Sequence, residues 1–144
     1  MTAKSDSTRP IAPHLQVYKW GPAMLVSMMH RITGDGLAIA GGCMLLWWLG
    51  ALATGPDAYA NFLSCVWLKA EGAPLAWTNW VGRAVLIGLT WAFFQHMFSG
   101  MRHLLLDTGA GYELKANRNW SIIVVIAGLF ATAALWGYIF ARAI

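Results

Sequence analysis

Residues 36–56, GLAIAGGCMLLWWLGALATGP, contain no charged side chain. An α-helix rises 1.5 Å per residue, so about 20 such residues cross a hydrocarbon core about 30 Å thick. Residues 84–101 and 120–141 are equally free of charge. The middle stretch is short at its strict limits, but Trp80 and Arg102 flank it as anchors for the two interfaces. With such flanks included, the sequence predicts three spans, at about 30–54, 80–106 and 119–141. The expected fold class is therefore an all-α membrane protein. Residues 1–26 form an N-terminal segment, and residues 27–144 form a three-helix transmembrane anchor domain.

Composition agrees with this reading. The 144 residues are 58% hydrophobic and 11% charged, whereas soluble domains are about half apolar and about a quarter charged. A soluble fold of this size would leave an aggregation-prone exterior. Nine tryptophans suit the two membrane interfaces, where amphipathic rings collect. A signal peptide is a poor alternative for the first span, because a long polar or mixed segment precedes it and no small-residue cleavage site follows it.

A net charge of +4 does not point to nucleic acid, since the basic residues form no run and cluster near span ends. Lys4, Arg9, Lys19, Arg31, Arg102, Lys115 and Arg118 lie on one side of the predicted topology, and Lys69, Arg83 and Arg142 on the other. The positive-inside rule then places the N-terminus in the cytoplasm, or in the matrix of a mitochondrion. A chain without an Arg- and Ser-rich presequence favours a bacterial inner membrane over a mitochondrial one. Between the first two spans, an interfacial helix is expected around residues 61–69 within a long loop. Cys43 and Cys65 suggest neither a metal site nor a disulfide. The chain has no nucleotide-binding glycine motif and no cysteine cluster, so flavin and iron–sulfur centres are not expected in it.

Ionisable residues near a hydrocarbon core mark function by default, and here they gather in one leaflet. Ser27, His30 and Arg31 open the first helix, and His103 and Asp107 close the second. His96 lies six residues before Arg102, about 9 Å inside that end of the helix. Its neighbours are apolar and aromatic, and Gly100 and His103 share its face at i+4 and i+7. A neutral imidazole in an apolar slot suits a haem iron, but an interhelical hydrogen bond or a buried proton carrier fits the spacing too. Haem propionates need donors near the surface, which His30, Arg31 and His103 can supply. Against this, Arg31 can be a plain anchor, and His103 can pair with Asp107 across one helical turn. Ser27 and Arg31, at i and i+4, can hydrogen-bond a quinone ring, although Ser27 also reads as a helix N-cap. No second histidine occurs at the depth of His96, so a bound haem would take its other ligand from a different chain.

Three blocks occur in order: Arg9-Pro10-Ile11-Ala12-Pro13-His14-Leu15-Gln16-Val17-Tyr18, Ser27-Met28-Met29-His30-Arg31-Ile32-Thr33-Gly34, and His96-Met97-Phe98-Ser99-Gly100-Met101-Arg102-His103-Leu104-Leu105-Leu106-Asp107. Together they resemble the b-type cytochrome subunit family of succinate dehydrogenase. Ala12 stands where that family commonly has serine, and Asp35 where an apolar residue is typical. The resemblance implies His96 as a haem b ligand, with the second ligand on a companion hydrophobic anchor subunit that completes a heterodimeric helical bundle. It implies Ser27 and Arg31 as quinone-site residues and His30 with Arg31 as haem-propionate contacts; His103, by its depth, and Gly100, by its spacing from His96, are the further candidates for the propionate contacts and haem pocket. It further implies ubiquinone as substrate, an iron–sulfur subunit and a flavoprotein subunit as partners, and FAD and iron–sulfur clusters in those partners. The rival expectations are a stand-alone b-type cytochrome, with His30 or His103 as second ligand, and a haem-free structural anchor for a soluble dehydrogenase. A transporter is disfavoured, because no span shows paired broken helices.

Overall fold

A computed structural model describes residues 19–67 and 76–143. The block at residues 9–18 and Lys69 lie outside the described residues.

The first helix, α1, runs from Pro22 to Gly36. Gly21 caps it with its backbone carbonyl, which accepts from the amides of Met24 and Leu25 at 3.1 and 3.2 Å. Pro22 occupies the first turn, where its missing N–H costs nothing. Ser27 is therefore an interior residue and not an N-cap, and the helix begins before residue 27. A wide π-helical turn, Leu37–Gly41, joins α1 to α2 (Gly42–Thr54), so one helical span of 33 residues covers Pro22–Thr54. Nothing in Leu-Ala-Ile-Ala-Gly announces that turn; its small residues merely permit it.

Gly55 ends α2 at φ 128°, a backbone conformation that favours glycine. Pro56 follows at the first position of α3, Pro56–Val66. A helix is thus present in the expected loop but begins before residue 61, because the Gly-Pro pair that reads as a loop is a stop followed at once by a start. On α3, Phe62 and Val66 pack against Ala51 of α2, with Leu86 alongside, and Trp47 meets Phe62 edge to face at 4.9 Å. Gly82 lets α3 close on α4, since a Cβ there would sit 2.8 Å from Val66 Cα. Arg83 donates to the carbonyl of Trp67 at 2.8 Å and lies over the Trp67 ring, satisfying an orphan acceptor at the end of α3.

Helices α4 (Ala76–Asp107) and α5 (Leu114–Ala143) complete the fold. A turn with Gly109 and Gly111 at positive φ separates them. The 32 residues of α4 reach about 48 Å, well beyond a hydrocarbon core about 30 Å thick. Helix α4 is the central helix and packs on α1, α3 and α5. Three helices are long and apolar enough to cross a membrane: Pro22–Thr54, Trp80–Asp107 and Leu114–Arg142, with mean hydropathies of 1.8, 1.2 and 2.2. Much of the apolar surface faces outward, with Leu46 70% and Phe130 73% exposed, as a helical membrane protein requires.

The α4–α5 seam is tight and polar. Gln95 is fully buried and lies so close to Gly128 that a Cβ there would sit 2.6 Å from Gln95 Oε1. Arg102, expected at the interface as an anchor, is only 6% exposed and instead turns inward to donate to Asn117 Oδ1.

Candidate functional site

The α1–α4 contact is built from two polar stripes that face each other. On α1, His30 and Thr33 are three apart and share a face; on α4, His96, Ser99 and His103 do the same. The imidazoles of His30 and His96 stack with centroids 3.9 Å apart and planes 10° from parallel. His103 meets the edge of His30 at 5.2 Å.

Hydrogen bonds assign the protons. The Ser99 hydroxyl donates to the Gln95 carbonyl at 2.7 Å, so it accepts from His30 Nδ1–H at 2.6 Å. The Thr33 hydroxyl donates to the Met29 carbonyl at 2.7 Å. His96 Nδ1–H then donates to the His30 carbonyl at 3.0 Å, with Thr33 Oγ1 as a longer second acceptor at 3.3 Å. With Nδ1 carrying the proton, the lone pair of His96 lies on Nε2, the state a metal ligand needs.

Close approach depends on glycine at two points. A Cβ on Gly34 would lie 2.9 Å from His96 Cε1 and 3.3 Å from its Nδ1. Gly100 borders the same histidine cluster, since a Cβ there would lie 3.6 Å from His30 Cε1. The structure therefore brings His30, His96, His103 and Gly100 together, and adds Thr33, Gly34 and Ser99. Those three were missed because each looks like an ordinary small residue of a helix interface; their signal is their place one turn from, or next to, a histidine.

Two expectations change in detail. Asp107 is exposed at the end of α4 and forms no ion pair among the described residues, so His103 packs on His30 and not in a helix-end pair. His30, expected nearer the surface, instead lies at the depth of His96, because the two rings stack face to face 3.9 Å apart, an arrangement that does not favour them as two ligands of one haem. Ser27 and Arg31 stand apart from the histidine cluster. Both are exposed on α1, one turn from each other, and neither bonds another described residue. Among the described residues, no group of three His, Cys, Asp or Glu side chains could hold a metal ion on its own.

Comparison with known proteins follows the same residues. The profile of the succinate dehydrogenase/fumarate reductase transmembrane subunit family matches residues 5–135. The succinate dehydrogenase cytochrome b556 subunit of Paracoccus denitrificans is 38% identical over 136 residues, 94% of each chain. The cytochrome b556 subunit of Rickettsia felis is 32% identical over 89% of this chain and 90% of its own. The mitochondrial cytochrome b560 subunit of Mus musculus is 31% identical over 91% of this chain and 72% of its own. Three apolar helices of the required length and matches over nearly the whole sequence lead to one conclusion: the chain belongs to the family of transmembrane subunits of succinate dehydrogenase and fumarate reductase, membrane anchors of an oxidoreductase and not its catalytic chains.

Proposed function

We propose that this chain binds haem b jointly with a second hydrophobic anchor subunit and forms part of a ubiquinone-reduction site. Electrons from succinate oxidation would reach that site through the iron–sulfur subunit, with FAD held by the flavoprotein subunit. The observation that carries the haem reading is the bond from His96 Nδ1–H to the His30 carbonyl at 3.0 Å. It fixes the ring through a backbone carbonyl and leaves Nε2 free to ligate, the usual arrangement of a metal-bound histidine. The residues present therefore fit the group. With His96 as the one ligating histidine of this chain, the haem would take its other ligand from the partner subunit.

Haem b, when bound, supplies a one-electron store within the membrane. Around it this chain's residues act as holders. His30, pinned at Nδ1 by Ser99, presents Nε2, which in the doubly protonated ring donates to a propionate. His103 and Arg31 supply further donors at the same end of the bundle, and Gly100 keeps the wall of the pocket low.

Ser27 and Arg31 orient the quinone. A hydroxyl and a guanidinium on neighbouring turns can both donate to one carbonyl oxygen, and the fixed cation stabilises the negative charge that reduction places there. That both side chains are exposed and without a partner among the described residues supports a role toward something outside this chain. We place the protein in a bacterial inner membrane with the N-terminus in the cytoplasm, on the asymmetry of basic residues.

Complexes isolated from native membranes through a tag on this chain test the reading. A b-type band should appear in the reduced-minus-oxidised spectrum when succinate is added. His96→Leu should remove or convert that band, and an unchanged spectrum would refute the ligand assignment. Ser27→Ala or Arg31→Leu should lower succinate–quinone turnover while sparing succinate oxidation by a water-soluble dye; equal losses in both assays would remove the quinone assignment.

A further inference from the structure

Asp35 is the only acidic side chain in the first span, and nothing described so far uses it. It also occupies a position where the family resemblance leads one to expect an apolar residue. Its depth follows from its neighbour: Gly34 closes directly on the His96 ring, so Asp35 lies at the level of His96, about 6 Å further along the helix than Arg31.

The Asp35 side chain is exposed and has no hydrogen bond or ion pair with any described residue. A carboxylate on a lipid-exposed face of a membrane helix is costly to insert. Such a group is kept where it faces polar matter or takes part in function. Ser27, Arg31 and Asp35 fall at i, i+4 and i+8, so they form one stripe on α1. All three are exposed.

Reduction of a quinone to a quinol takes two electrons and two protons. Arginine does not release a proton at any working pH, and a serine hydroxyl is no better an acid. On this stripe only Asp35 can exchange a proton. The charged or titratable groups near it are few: Arg31 one turn away on α1, His30 on the inward side of the same helix, and His96 on α4. Helix α5 carries no charged side chain between Arg118 and Arg142.

We propose that Asp35 is a proton donor to the bound quinone. The inference rests on the reading that Ser27 and Arg31 orient the ring. As two electrons arrive from the iron–sulfur subunit, the carboxylic O–H bond breaks and a new O–H bond forms at one quinone oxygen. The second quinol proton comes from water. The carboxylate regains its proton from water entering along the Ser27 end of the stripe.

Purified whole complexes carrying Asp35→Asn, Asp35→Glu or Ser27→Ala provide the test, with a short-chain ubiquinone as acceptor and rates normalised to succinate–dye turnover. General acid catalysis contributes about 10²–10⁴-fold, so Asp35→Asn should lower kcat at least about tenfold. KM should stay within about twofold, and Asp35→Glu should restore most of the rate. An unchanged kcat in Asp35→Asn overturns the proposal. So does loss of activity through failure of the subunits to copurify, which would make Asp35 a contact with the partner anchor. If Ser27→Ala raises KM while Asp35→Asn is silent, the quinone site stands and the donor falls. If Ser27→Ala leaves both kcat and KM for quinone unchanged, the site reading fails and the proposal with it.

Discussion

Gly34→Ala tests the histidine cluster without touching any histidine. The added Cβ would lie 2.9 Å from His96 Cε1, whereas ordinary contact begins near 3.4 Å. Either the ring or the helix must retreat by about half an ångström, and the ring is the more constrained. Its Nδ1 is held by the His30 carbonyl, and its face is stacked on the His30 ring. Overpacking of this kind costs about 1–3 kcal/mol, and each 1.4 kcal/mol is about tenfold in affinity. The expected result is a complex with reduced or more easily lost haem, read as the b-type band per flavin in purified material. Gly36→Ala is the control, because a Cβ at Gly36 meets nothing within 4 Å. That change should leave the spectrum alone, and it exchanges glycine for a better helix former. Haem retention in Gly34→Ala equal to that in Gly36→Ala would refute the idea that the glycine sets the position of His96.

The α4–α5 seam gives three more expectations, each read as thermal unfolding of the detergent-solubilised complex. Gly128→Ala should destabilise by about 1–3 kcal/mol, because the Cβ would stand 3.3 Å from the Gln95 Cα as well as against its amide oxygen; no loss would mean the helices separate freely there. Gln95→Leu should be neutral or stabilising, since both amide atoms are buried without a partner and leaving such groups unsatisfied costs about 1–3 kcal/mol. A clear drop would show that Gln95 has a polar partner in the assembly. Asn117→Ala removes the acceptor of the buried Arg102 guanidinium and should cost about 1.5–3 kcal/mol, as for a hydrogen bond to a charged group; an unshifted transition would mean Arg102 finds another acceptor.

How far each feature could be read from the sequence depends on where its physical cause lies. His30, His96 and His103 stand out because an ionisable group in an apolar run is costly and conspicuous. Thr33 and Ser99 do not, because a small hydroxyl residue in a membrane helix most often returns its proton to its own backbone. Both do so here, while also accepting from an imidazole. Arg102 was misread for a related reason. Position at a span end suggests an exposed anchor, and only the neighbouring helix reveals the Asn117 acceptor that lets the guanidinium turn inward.

By itself the sequence determined the number of spans and the fold class, because hydropathy and helix length are sums over local residues that need no knowledge of neighbours. It also singled out His30, His96 and His103, which the structure brings together. Tertiary structure decided where the first helix begins, that α3 starts at once after Gly55 and not partway along the loop, and that His30 stacks on His96 with Nδ1 of each ring engaged. It likewise decided which glycines matter, separating Gly34, Gly82 and Gly128 from Gly36, which borders open space. Such distinctions depend on distances between helices far apart in sequence, and those distances are set by packing.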